Sequence, residues 1–376
     1  MLKLVRSIWL VTGFALVLPA ASDKKIDRDV QAITKAALVI DTHNDIPSFT
    51  VDGVDIGTST KTHTNIERLR QGGVGAIFFS VYVDKKYVEG NHAANRALQM
   101  IDTVKEDIVA RYPENFQIAL TADDVERAHR KHKIAALMGL EGGHAIEDSP
   151  RLLRDYYRLG IRYMTLTHTN TNGWADSSGD VSKENVQHHN GLTPLGKEIV
   201  REMNRLGMMV DISHVADKTF YDALGVSRAP LIASHSACRA ITNVARNMTD
   251  DMIRALAKKG GVIQINFYCN FVSQKSADAP KNALVRATLA DVVVHIDHVR
   301  QIAGIDAIGI GSDFDGIDCA PEGLDDVSKF PNLTRALLEH GYSPADIKKI
   351  YWGNTLRLMK RVEKVAAEMQ RSNSKS

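Results

Sequence analysis

Cysteine is nearly absent, with three residues, Cys238, Cys269 and Cys319, in a chain of 376. That excludes a disulfide framework, and none of the three stands at zinc-finger spacing. Buried or inert thiols are the expectation, with at most one intrachain bridge and the choice of pair left open. Aromatic residues are sparse, no basic run stands out, and 47 Lys and Arg face 45 Asp and Glu. Such a balance offers nothing specific to nucleic acid or to an anionic membrane. Low-complexity linkers and obvious internal repeats are missing too.

Long hydrophobic runs are confined to the start of the chain. Residues 8–18 are apolar but too few to span a bilayer comfortably. They follow Lys3 and Arg6 and precede the small residues Pro19-Ala20-Ala21-Ser22, so residues 1–22 read as a secretory signal peptide, with an uncleaved anchor as the alternative. No Cys follows the run to carry a lipid, and the polar residues 371–376 lack the hydrophobic tail of a glycolipid-anchor signal. The expectation is a periplasmic or secreted protein with no stable membrane anchor after cleavage.

What the chain does have is alternation. Apolar, β-rich runs at residues 38–40, 76–83, 134–140, 163–167, 208–212, 231–234, 262–266 and 308–311 alternate with helical patterns. Eight parallel strands with crossover helices predict an α/β fold, a (β/α)8 TIM-type barrel occupying residues 23–376 as one catalytic domain with a C-terminal helical segment. Thr249 before residues 250–259, Pro194 before 196–206 and the pair Asp123 and Asp124 after Thr121 mark helix starts. Two polar stretches, 52–65 and 170–190, are long loops of the kind that shape barrel sites.

The strand ends carry the chemistry. The first ends in Asp41, His43 and Asp45, the third in Glu141, the fourth in His168, the fifth in His214, the sixth in His235 and the eighth in Asp313. In a barrel all of these face one mouth. A single histidine at a strand end is more often a satisfied core or loop residue, but four histidines and three carboxylate-bearing ends exceed that explanation. Of the other ten histidines, His63, His92, His129, His132, His188, His189, His295, His298 and His340 are expected at the surface, and His144 stays open. His43, Asp45, Glu141, His214 and His235 are too many donors for one open tetrahedral zinc, so two metals are expected, with Glu141, between the two donor pairs in chain order, a candidate for the bridge. Between them they would share a hydroxide as nucleophile.

These residues lie in Asp41-Thr-His-Asn-Asp-Ile-Pro47, Gly139-Leu-Glu-Gly-Gly143, Tyr163-Met-Thr-Leu-Thr-His168, Asp211-Ile-Ser-His214, Ser234-His-Ser236, Ala245-Arg-Asn247 and Gly311-Ser-Asp-Phe-Asp-Gly316. In that order they resemble the membrane (renal) dipeptidase family of zinc peptidases, in the form of a bacterial-type secreted member. The resemblance runs from residue 33 to residue 358. It implies a binuclear zinc barrel that cleaves dipeptides with a free C-terminal carboxylate, D-residues in that position included in some members. It also implies His43 and Asp45 on one Zn2+, His214 and His235 on the other and Glu141 bridging. Asp313 becomes the acid/base, His168 the contact to the scissile carbonyl, Arg246 the holder of the C-terminal carboxylate, and Tyr268 a wall of the same pocket. A homodimer is an assembly found in the family. The chain departs from mammalian members in its missing lipid-anchor signal and its few cysteines. Two other functions fit the same strand ends: a metal-dependent amidohydrolase acting on a lactone, cyclic amide or β-lactam, and a non-catalytic metal or peptide binder.

Overall fold

The computed structural model describes residues 20–280, 283 and 285–373, so most of the expected signal peptide lies outside the described residues. Nine strands form the sheet: β1 (Val39–Asn44), β2 (Val74–Tyr82), β3 (Phe116–Ile118), β4 (Ile134–Glu141), β5 (Ile161–Thr165), β6 (Met209–Asp211), β7 (Ile232–Ser236), β8 (Val262–Ile265) and β9 (Ile308–Ile310). All pairings between them are parallel, and β2 pairs with both β1 and β4 while β9 returns to β1. Eight strands therefore close into a barrel, as the alternation predicts.

The ninth strand was not expected from the sequence. β3 is three residues long and pairs with Ile134, Ala135 and Ala136 of β4, on the stretch just before β5 takes over at Met138. It fills the lower part of one strand edge that the short β5 leaves open. So brief a run carries no period that a sequence reader can distinguish from loop.

Burial explains the strand sequences. Every residue of β1 and β4 is buried, because helices cover the outside and side chains fill the inside. Ile40, Phe78, Leu137, Met209 and Ile232 belong to one cluster that also contains Leu356, Met359 and Val362 of the C-terminal helix Asn354–Asn373. That helix packs under the barrel, with Thr355 accepting a hydrogen bond from Gln264 of β8 at 3.1 Å. Helix starts follow the sequence signals: Thr249 caps Asp250–Lys258 and Thr121 forms a capping box on Ala122–Arg130.

Candidate metal centre and cleft

At the mouth the strand ends converge as expected. Nε2 of His43 lies 3.3 Å from Oδ2 of Asp45 and 3.4 Å from Oε2 of Glu141. On the other side, Oε1 of Glu141 lies 3.1 Å from Nε2 of His214 and 3.3 Å from Nε2 of His235. The two oxygens of one carboxylate thus face two separate donor pairs. Donor atoms held about 2.1 Å from a common tetrahedral ion stand about 3.4 Å apart, and these contacts match that spacing. His43, Asp45 and Glu141 form one compact group of potential ligands, and Glu141, His214 and His235 another.

Two further observations fit cations at this place. Nε2 of His43 is buried without a hydrogen-bond partner. Nε2 of His214 and Nε2 of His235 stand 2.9 Å apart, two ring nitrogens that a shared electrophile would satisfy. Burial first, with the charge of Arg246 acting in the same sense, holds both rings well below the usual histidine pKa, which keeps them neutral and fit to ligate. Glu141 is held well below the usual carboxylate range; burial opposes this, but His43, His168, His214 and His235 outweigh it.

The far sides of the His235 and His43 rings are each fixed by a hydroxyl. Nδ1 of His235 is 2.8 Å from Oγ of Ser234, which donates to Oδ2 of Asp211 at 2.6 Å. Asp211 also accepts from Thr165 and from the backbone N–H groups of Ser213 and Ser234. Nδ1 of His43 is 2.7 Å from the hydroxyl of Tyr163, whose ring occupies the space that a Cβ on Gly139 would fill. With hydrogen on these Nδ1 atoms, both Nε2 lone pairs point to the centre. Asp41 plays the matching part under β1, accepting from the Oγ and N–H of Ser312 at 2.6 and 2.8 Å. Burial raises its pKa to about 6.

The remaining expected residues surround this centre. Asp313 accepts from Nδ2 of Asn266 at 2.8 Å, and burial, joined by Asp45 and Glu141, raises its pKa to about 8. It belongs to a third compact group with His43 and His235. His168 lies 3.8 Å from Oε1 of Glu141, and its ring meets Tyr82 edge-on. Burial lowers its pKa, which favours the neutral imidazole. Arg246 donates to Oγ of Ser236 at 3.0 Å and to the carbonyl of His235 at 2.8 Å, while its buried Nε has no partner. Tyr268 lines the cleft beside Phe271. His214, Asp313 and Asp315 all have positive φ, at 65°, 63° and 68°; three such non-glycine residues at one mouth are backbone strain gathered at a site.

The cleft has a volume of about 550 Å3, and Tyr82, Phe49 and Ile317 wall it above the metal groups. Its loops are pinned by devices that the sequence reading did not single out. The backbone N–H of His63 donates to Oδ1 of Asp315 at 2.6 Å, and the N–H of Asp315 donates back to Nδ1 of His63 at 3.0 Å. This reciprocal pair ties the loop 52–65 to the loop after β9. Gly316 passes so close that a Cβ there would lie 2.4 Å from Asp45 and 2.6 Å from Asp313. Cys269 and Cys319 form a disulfide and Cys238 is a buried thiol. The bridge joins loops leaving the neighbours β8 and β9, and that adjacency is the signal that would have chosen the pair.

Not every histidine is where the sequence suggested. His295 is fully buried, accepting from the N–H of Cys238 at 3.0 Å and bonding the carbonyl of Val272 at 3.1 Å. His144 is buried as well, with Nε2 on the carbonyl of Val83. Neither joins the metal groups.

The family described as membrane dipeptidase, peptidase family M19, matches residues 27–373. Dipeptidase verJ of Clonostachys rogersoniana is 39% identical over 367 residues, which cover 93% of this chain and 90% of that protein. A metallopeptidase from Rhodobacter sphaeroides, solved with a phosphinate mimic of L-Ala-D-Ala, is 26% identical with a TM-score of 0.76, over 86% of this chain and 99% of that one. The probable dipeptidase PvdM from Pseudomonas aeruginosa shares the fold, with a TM-score of 0.82 at 24% identity over 91% of this chain and 100% of that one.

Proposed function

The chain belongs to the membrane dipeptidase family, peptidase family M19, and from that premise we propose that it is a binuclear zinc dipeptidase requiring a free C-terminal carboxylate. One observation carries the reading: the two oxygens of Glu141 divide between the pair His43 and Asp45 and the pair His214 and His235. Imidazole and carboxylate donors in this number suit two zinc ions. When bound, such ions polarise a carbonyl and make water acidic enough to react near neutral pH.

The chain's own residues supply the rest. Asp313 accepts a proton from the attacking water and passes it to the amine nitrogen as the C–N bond breaks. His168 donates its N–H to the oxygen that gains charge. Arg246, half enclosed and still cationic, offers its guanidinium to the substrate carboxylate. This contact selects dipeptides, because the carboxylate has to lie one residue beyond the scissile bond. Tyr82, Phe49 and Tyr268 limit the side chains admitted. A passive binder has no need of Asp313 and His168 beyond its ligands. We also propose that residues 1–22 are a signal peptide and that the enzyme works in the periplasm or outside the cell; a homodimer is the assembly proposed.

The test is a substrate panel: L,L- and L,D-dipeptides, the same peptides amidated at the C-terminus, a cyclic dipeptide, a lactone and a β-lactam. Cleavage of free dipeptides only is the expected result. Turnover confined to the lactone, cyclic or β-lactam substrates would replace the proposal with another amidohydrolase, and no turnover of any with metal bound would favour a binder.

A further inference from the structure

The opposite end of the barrel holds a second cavity, of about 930 Å3, wider than the catalytic cleft. It opens where β1, β2 and β4 begin, between the helix Ala20–Lys35 and the helices Ala122–Arg130 and Phe330–Glu339. Leu38 lines it and His43 of the metal centre stands five residues further along β1, a separation of about 17 Å at 3.3 Å per residue. Val30, Leu38, Val74 and Pro331 give it apolar walls. Its polar lining is one-sided: Lys35, Arg70, Lys133 and Lys348 with His129 and His132, and no Asp or Glu.

Charge of one sign is unusual in a chain with 47 basic and 45 acidic residues. Some surface lysines pair with acids, as Lys218 does with Asp222 and Lys360 with Glu126. Among the described residues, the side chains of Lys35, Lys133 and Lys348 have no ion pair or hydrogen bond. Arg70 bonds only the carbonyl of His132 and the backbone and side-chain oxygens of Asn115. His129 is fixed on the carbonyl of Ala36. Two wall residues, Ala37 and His132, hold positive φ of 46° and 56° without being glycine, so the shape is maintained against backbone strain. A cavity of about 300–1,000 Å3 with apolar walls and a few polar groups is of the size that encloses a small ligand.

We propose that this cavity binds a single-chain amphiphile with an acidic head, its chain against Val30, Leu38 and Val74 and its head among the cations of the rim. Free amphiphile is the occupant, since the cations edge a pocket rather than a flat face. The site is remote from the cleft, so occupancy and catalysis are separable.

The experiment is calorimetric titration of the metal-loaded enzyme with decanoate, with decanol as the uncharged control and anionic phospholipid vesicles as the membrane control. The expected result is one decanoate per chain, weaker binding of decanol, no retention on vesicles, and no competition by a dipeptide. Lys35→Glu/Lys133→Glu/Lys348→Glu together should weaken decanoate by about ten-fold or more, most at low salt, and leave dipeptide hydrolysis unchanged. Ala36→Trp, which fills the cavity from an exposed position, should abolish binding in an otherwise active enzyme. No decanoate binding, binding that survives both variants, or displacement by dipeptide would overturn the proposal; retention on vesicles lost in the triple variant would replace it with a membrane surface.

Discussion

The donors on the strand ends and the side chains on the loops above them are held in different ways. His43 and His235 are buried, and each ring is backed by a hydroxyl, Tyr163 for one and Ser234 for the other, with Asp211 behind Ser234. Arg246 and Tyr268 are only partly buried. Arg246 is placed by a carbonyl and a serine, and the loops around them by the His63–Asp315 pair and one disulfide. A rigid cradle beneath an adjustable wall follows. Under the function proposed, the cradle would place metal ligands, whereas the wall would admit and release substrate.

The largest effect should come from the cradle's floor. Glu141→Gln is expected to lose bound metal and turnover together, because one carboxylate serves both donor pairs; metal analysis of the purified variant checks it, and full occupancy would show that the bridge is dispensable. Asp313→Asn should lower kcat by about 10²–10⁴-fold with metal retained. Asparagine tolerates the left-handed backbone at this position, so the fold survives. Loss of metal in this variant would instead move Asp313 among the ligands.

Next comes the support behind the ring. Asp211→Asn should cost about 10–100-fold in metal affinity, read by competition with a chelator. On the wall, Arg246→Ala should raise KM for dipeptides by about 10–100-fold, the worth of a charge-assisted hydrogen bond, and do less to kcat. His63→Ala should raise KM several-fold and leave metal affinity alone, since only the loop 52–65 is released. Equal losses of metal from the cradle and wall variants would erase the distinction between them.

The smallest effect on activity belongs to His295, far from the chemistry. Burial pushes its pKa down to about 4, against 6.5 for a free imidazole. The folded state binds its proton less readily than the unfolded one, so stability is complete above pH 6.5 and falls as pH drops towards 4. The loss amounts to about 3 kcal/mol at most. Urea unfolding from pH 7 to pH 4.5 checks it: the slope against pH should lessen in His295→Asn while turnover at pH 7 stays unchanged.

Strand-held residues were also the ones readable in the sequence. His43, Glu141, His214 and His235 each stand within three residues of the end of an apolar run, so the barrel's geometry brings them together once the strands are counted. His63 and Asp315 meet across 252 positions in two loops, and no local period announces such a pair. His295 shows the opposite error: it sits in a helical pattern that reads as surface, yet its ring bridges the backbone at Cys238 and Val272 inside the core. The three residues of β3 were too few to read, and Cys269 and Cys319 became a pair only when β8 and β9 became neighbours.

The most direct measurement is a titration of zinc into chelated enzyme while dipeptide hydrolysis is followed. Activity that is negligible without metal and reaches its plateau at two ions per chain is the predicted result. A plateau at one ion, or hydrolysis that persists through chelation, would contradict a centre in which Glu141 joins two metals.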